Sequence, residues 1–453
     1  MLFDSLVFAL FFPAVWALYW GLRGRRSAQV WLLLLASYFF YGWWDWRFCG
    51  LIAGSTVLDY FLGRAMARTE DERRRKRLVT LSLIGNLGAL GFFKYWGFFT
   101  TEFIALLERL GLEANVPLIE VVLPVGISFY TFQTLSYTLD IYRRELEPEP
   151  HFARFALFVA FFPQLVAGPI VRARDFLPQI RRAPTLTRSA FHTGLALIFW
   201  GLTKKIVIAD TLGRELVDGV WAAPETYGGF ASLLGIWGYA LQIYGDFSGY
   251  SDVAIGTAML LGFTLADNFN SPYEAISPRD FWRRWHISLG GNRGGAVGTY
   301  RNLMLTMTLG GLWHGASWMF VIWGVYHGGL LVVDRLLDRP NPTTLAGTWL
   351  RRLFVFQLIC LGWVFFRSQE TGDAWAVLGS LFAPRGEAVL SAGVWTLLAF
   401  GFVAHFVPDA SVRRMRGGLI HAHPLVQGVV YALWLGLLMN MHSGQRPFIY
   451  FQF

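Results

Sequence analysis

The stretch Leu305-Thr-Met-Thr-Leu-Gly-Gly-Leu-Trp-His314-Gly-Ala-Ser-Trp-Met-Phe-Val-Ile-Trp-Gly324 is apolar enough to lie in a bilayer, yet it carries a histidine near its centre. A titratable side chain in such sequence is costly to bury and is usually kept for function. Just upstream, Phe281-Trp-Arg-Arg-Trp-His286 sets a second histidine beside two arginines and two tryptophans. Together the two segments predict an all-α, polytopic transmembrane protein with polar chemistry held at membrane depth.

Composition supports that class. Hydrophobic residues make up 55% of the chain, aromatics 17% and charged residues only 15%, whereas a soluble domain carries about a quarter charged residues. The net charge of +9 does not point to nucleic acid. Its arginines sit in short connectors between apolar runs, as in cytoplasmic loops, and no basic stripe with interleaved aromatics remains for RNA or DNA. Both cysteines, Cys49 and Cys360, lie in or beside apolar runs, so neither a disulfide framework nor a thiolate metal site is indicated. The first apolar run has no positive residues before it and no small-residue cleavage site after it, which reads as a retained anchor helix. Without repeats or a low-complexity linker, residues 1–453 read as a single integral-membrane domain.

A span needs roughly 20 apolar residues. Candidates are 3–20, 29–48, 49–63, 78–99, 119–142, 191–209, 229–247, 315–333, 353–367, 392–407 and 425–441. Pro163 and Pro169 interrupt 155–171, where freed backbone groups need protein or water partners; that segment reads as re-entrant. The stretch 250–264 is short as well and reads the same way, while 303–314 must dip or pair rather than cross alone. Arg23, Arg25 and Arg26, and then Arg64, Arg68 and residues 73–77, follow the first and third spans. They place both loops in the cytoplasm and the N-terminus outside. The net-acidic connector 100–118 reads as external, and the run 69–77 as a solvated topogenic loop with membrane lipid as a lesser partner.

His314 stands out by depth. Counting from Arg301 at the cytoplasmic face, thirteen residues at about 1.5 Å each carry it roughly 20 Å into a core about 30 Å thick. Neutral imidazole is the form favoured there and the form a general base requires. Gly310, Gly311 and Gly315 beside it leave space for a second helix or a substrate. Trp282 and Trp285 suit the membrane interface, and Arg283 and Arg284 suit either an anionic ligand or topogenesis. His327 reads as core packing. Asp246 and Asp252, with Tyr244, Ser248 and Tyr250, form a polar cluster that must pair or face water. The histidines lack the short spacing of a zinc helix, and Gly290-Gly-Asn-Arg-Gly-Gly295 has no preceding strand to make it a phosphate cradle.

Several motifs in one order resemble a known family. They are Leu123 to Gln133, Phe161-Phe-Pro-Gln-Leu-Val-Ala-Gly-Pro-Ile170, Leu241 to Asp252, Asn268 to Tyr273, Phe281 to His286, Gly310-Gly-Leu-Trp-His-Gly315, Leu361 to Arg367, and Pro447-Phe-Ile-Tyr-Phe-Gln-Phe453. The chain is similar in these to the membrane-bound O-acyltransferases, and within them to the branch that acetylates alginate. That resemblance implies a helical funnel through the bacterial inner membrane, with His314 and His286 as its catalytic histidines. Arg283, Arg284, Trp285, Trp313, Asp246 and Asp252 are the expected substrate-binding residues around them. It further implies acetyl-CoA as donor, with no tightly bound cofactor and no metal, an exported polysaccharide as acceptor and a periplasmic serine-esterase-like partner. In one respect the chain departs from the pattern. Leu289 runs directly into Gly290-Gly-Asn-Arg293, where the family carries a further amphipathic stretch. Loss of that stretch leaves a non-catalytic membrane scaffold or acetyl-transfer channel as the alternative.

Overall fold

The computed structural model describes residues 1–112, 121–165, 168–287, 296–384, 386, 388–442, 444, 446, 448 and 449. Their order is α1 (Leu6–Gly21), α2 (Arg26–Asp45), α3 (Cys49–Ala67), α4 (Glu72–Arg109), α5 (Ile127–Tyr142), α6 (Phe152–Ala160), α7 (Phe162–Leu165) and α8 (Ala173–Arg181). Then come α9 (Arg188–Leu202), two π-helical stretches (Thr203–Asp210 and Gly213–Val217), α10 (Asp218–Ala222), α11 (Pro224–Leu260), α12 (Pro278–Arg284), α13 (Ala296–His314) and α14 (Trp318–Leu337). The last are α15 (Leu345–Arg367), α16 (Thr371–Ser380), α17 (Ala392–His405), α18 (Asp409–His421) and α19 (Pro424–Met441). Among the described residues there is no sheet, only an isolated antiparallel bridge between Phe269 and Trp285. The protein is all-α and polytopic, as its apolar runs predict. The helices α4, α14, α15 and α19 are each long and apolar enough to cross a membrane, while Leu6–Gly21 and Phe152–Leu165 are shorter apolar helices.

Helix starts follow local capping chemistry. Ser5, Asp71, Ser277, Ser317 and Thr344 each accept a backbone N–H from the first turn that follows, satisfying donors a helix cannot bond internally.

The chain divides into two compact units. Residues 1–194 with 254–266 form the first. There α3, α4 and α5 pack together around a polar knot in which Asp59 accepts from Ser82 Oγ and from Asn86 Nδ2 at 2.8 Å. Ser82 also meets Thr138 Oγ1 at 3.1 Å. The broken segment 155–165 lies fully buried inside this unit. Its freed backbone groups are met by side chains: Ser37 Oγ accepts the Phe162 N–H at 3.1 Å and Gln164 donates to the Phe158 carbonyl at 2.7 Å. That is the internal satisfaction an irregular segment at membrane depth requires.

Two expectations change. Residues 72–77 are the start of α4 rather than open loop, and Arg75 is buried, donating to the carbonyls of Met66 at 2.7 Å and Ile141 at 2.9 Å. It joins the ends of α3 and α5, where carbonyls lack helical partners. Residues 250–260 are not a separate dipping segment; they complete α11, whose only non-helical residue is Gly228 at φ 65°.

Residues 195–253 and 267–453 form the second unit. Within it α13 and α14 form a closely packed hairpin, with α12 and α15 packed on α14. A Cβ on Gly311 would overlap the Phe320 carbonyl, and one on Gly324 would overlap the Met307 carbonyl. Close backbone contact of this kind is how small residues hold helices together where lipid supplies no hydrophobic drive.

Candidate active site

His314 is the last residue of α13, and Gly315 to Ser317 turn the chain into α14. The sequence sets it inside a helix; the structure sets it at a helix end, because Ser317 caps the next helix. The side chain is 8% exposed. Its ring meets Trp313 at 4.9 Å, Trp323 of α14 at 5.1 Å and 88°, and Phe366 of α15 at 5.3 Å. The neighbouring glycines resolve in favour of helix packing. Phe320 occupies the space beside Gly315 as well as Gly311, and only Gly310 faces open space.

His286 follows α12 in a segment braced against residues 268–270: Asn270 N–H donates to the Arg284 carbonyl at 2.9 Å, and Ile287 N–H to that of Asn268 at 3.1 Å. The brace holds His286 at φ 55°, a left-handed conformation uncommon for a residue with a side chain. Such conformations persist only where surrounding contacts over-determine them, and they cluster at functional sites. The imidazole is buried, and that burial lowers its pKa, keeping it neutral. It meets Phe247 at 5.0 Å and Trp313 at 5.8 Å. The two histidines therefore both contact the Trp313 ring.

The rest of the segment sorts by depth. Trp285, assigned to the membrane interface by sequence, is 2% exposed and stacks on Phe281 at 5.5 Å. Trp282 likewise packs against Trp323 and His327. Arg284 pairs with Asp280 at 2.9 Å, one helical turn earlier. Arg283 is exposed.

Asp246 and Asp252 pair with lysines. Lys204 Nζ lies 2.8 Å from Asp252, and Lys205 Nζ lies 2.6 Å from Asp246 and 2.9 Å from Asp210. Both lysines belong to the π-helical stretch Thr203–Asp210, a distortion frequent at functional sites. Sequence reasoning missed them inside the apolar run 191–209, although two adjacent lysines in such a run require carboxylate partners. Asp246 also accepts the Ile449 N–H at 2.6 Å, and Phe448 packs on Phe247 at 5.7 Å and on Tyr250 at 4.7 Å. Part of the last sequence motif thus lies one ring away from His286. The Leu289–Arg293 junction and the glycine run around it fall outside the described residues. Among the described residues no three His, Cys, Asp or Glu side chains are placed to hold a metal ion.

Residues 142–370, which include every side chain of the two-histidine cluster, match MBOAT, the membrane-bound O-acyltransferase family. The chain is 42% identical over 412 residues to a probable alginate O-acetylase of Azotobacter vinelandii, covering 88% of this chain and 79% of the relative. It is 41% identical over 411 residues to the corresponding protein of Pseudomonas aeruginosa, covering 88% and 76%. To a peptidoglycan O-acetyltransferase of Helicobacter pylori it is 36% identical over 410 residues, covering 80% and 75%. With a family match over the segment that holds both buried histidines and relatives alike over most of their length, the chain is an acyltransferase that uses an acyl donor and belongs to the membrane-bound O-acyltransferase family.

Proposed function

We propose that the protein moves acetyl groups across the bacterial inner membrane from cytoplasmic acetyl-CoA towards an exported polysaccharide, with residues 1–453 acting as one acyltransferase domain and the N-terminus in the periplasm. The observation that carries this reading is the pair of buried histidines that both contact Trp313, one at a helix end and one in left-handed backbone. Alginate is the leading acceptor because five relatives named for it share 36–42% identity, three of them 41% or more, against 36% for the one named for peptidoglycan.

In this mechanism a neutral His314 takes the proton of an acceptor hydroxyl as its oxygen attacks the thioester carbonyl. The tetrahedral intermediate collapses, the carbon–sulfur bond breaks, and the imidazolium returns the proton to the departing thiolate. His286, which also contacts Trp313, polarises the reacting carbonyl. The exposed Arg283 suits the donor's phosphates, with Arg284, Trp285 and Trp313 shaping the approach. Asp246 and Asp252 are ion-paired with Lys205 and Lys204, and Asp246 holds the segment of Ile449 beside Phe247. A periplasmic serine-esterase-like partner then takes the acetyl group from the ester so formed: its serine oxygen attacks the acetyl carbonyl, the first acceptor's oxygen leaves carrying the serine proton, and a hydroxyl of the polysaccharide displaces the serine in the same way. The scaffold alternative draws on the direct Leu289-to-Gly290 junction. The two separate in a deletion strain complemented with this chain: the enzyme restores acetyl content to purified polymer, whereas a scaffold leaves it bare.

The proposed orientation has its own check. A reporter active only in the cytoplasm should report when fused within 69–77 and stay silent within 108–113, since positive loops are retained inside. The opposite pattern reverses the whole topology.

A further inference from the structure

His327 lies in the middle of α14 and is 0% exposed. Among the described residues neither of its ring nitrogens has a hydrogen-bond partner, a costly arrangement that an apolar residue of similar size would avoid. The surrounding chain is cut to fit it. Gly362 of α15 packs directly on the ring, and a Cβ there would overlap Nε2. Two tryptophans frame it: Trp282 stands perpendicular to the imidazole at 5.2 Å and 90°, and Trp323 lies at 4.8 Å and 60°. Trp282 and Trp323 also meet each other edge to face at 5.6 Å.

Of these two indoles, one belongs to the segment that leads into His286 and the other, on the same helix as His327, touches His314. Trp282 is in α12, which leads directly into His286, and Trp323 is the ring that meets His314 edge to face at 5.1 Å. His327 is therefore in contact with one indole from the His286 segment and with another that itself meets His314. An imidazole can set an N–H edge against an indole face, a weak but directional contact that an aliphatic side chain cannot make.

We infer that His327 is a positioning residue that, through Trp323 and Trp282, fixes the orientation of His314 relative to the His286 segment. It touches neither donor nor acceptor. The inference rests on the acetyl-transfer reading for its rate effect, because a misplacement of about 1 Å at a reacting group can lower turnover roughly 100-fold.

The test compares the parent with His327→Leu and His327→Phe in membranes at matched abundance. Two quantities are read: initial acetyl-transfer rates against acetyl-CoA concentration, and the rate at which diethyl pyrocarbonate modifies His314, followed by mass spectrometry. His327→Leu should lower kcat about 100-fold with KM for the donor nearly unchanged, the signature of lost transition-state alignment, and should change the His314 modification rate several-fold. His327→Phe keeps a ring edge and should recover to within about tenfold of the parent. Parental kcat or a parental His314 modification rate in the leucine variant overturns the inference. So does a loss confined to KM or to abundance, or a phenylalanine variant as slow as leucine with His314 reactivity intact. A parent that transfers no acetyl group defeats the proposed function instead, and the modification rates then decide the role of His327 by themselves.

Discussion

Membranes carrying His314→Ala will hold the protein at parental abundance and transfer no acetyl group above background. The side chain sits at the end of α13, in contact with three aromatic rings, so truncation leaves a small gap and no broken hydrogen-bonded helix. Loss of a general base lowers rates by roughly 10²–10⁴-fold, enough to take polymer acetylation below detection in a complemented deletion strain. Acetyl content of purified polymer and immunoblots of the membrane fraction give the two readings. Acetylated polymer at the parental level would remove His314 from the chemistry while leaving the family assignment intact.

An effect as large, but on folding, is expected from Lys205→Met. The ammonium lies between Asp210 and Asp246, and the side chains of all three are at most 8% exposed. Methionine fills much the same volume but leaves two carboxylates facing each other without the cation between them. Breaking a buried pair by removing one partner costs about 3–5 kcal/mol. Because Asp246 also receives the Ile449 N–H, the segment carrying Phe448 should loosen with it. Detergent-extracted protein should show a much lower Tm and reduced abundance. Adding Asp210→Asn and Asp246→Asn should restore both, since a neutral, hydrogen-bonded cluster needs no buried cation. A single variant with the parental Tm would show that these charges do not hold the second unit together.

Much of this architecture is legible in the chain because lipid forces backbone groups to bond within helices, so apolar run length translates into helix position. Even the turn after His314 carries a readable signal, since Ser317 precedes a new apolar run in the way helix caps do. Other features were hidden for physical reasons. The glycines around His314 mark close approach, but one sequence cannot say whether the visitor is a helix or a substrate; Phe320 and α14 supply the answer. Tryptophans suit both an interface and a core, and only the stacking of Trp285 on Phe281 distinguishes them. Lys204 and Lys205 were obscured because hydropathy averaged over an apolar run conceals two charges whose partners, Asp252 and Asp246, lie about forty to fifty positions away in sequence. Distance along the chain, here 14 and 19 positions, likewise hides the strained backbone of His286, which depends on the hydrogen bonds Asn270 to Arg284 and Ile287 to Asn268.

The backbone contact between α13 and α14 also bears on how the chain is made. α14 is apolar enough to enter a membrane by itself, whereas α13 brings Thr306, Thr308 and His314, a poor cargo for the insertion machinery alone. Joined by a three-residue turn and touching through Gly311 and Gly324, the two helices can partition from the translocon as one hairpin. The later helix then carries the earlier one into the bilayer. Insertion of the segment bearing His314 would thus wait until synthesis has passed Leu337, and a bulky residue at Gly324 would act first as a defect of biogenesis, before any turnover could be measured.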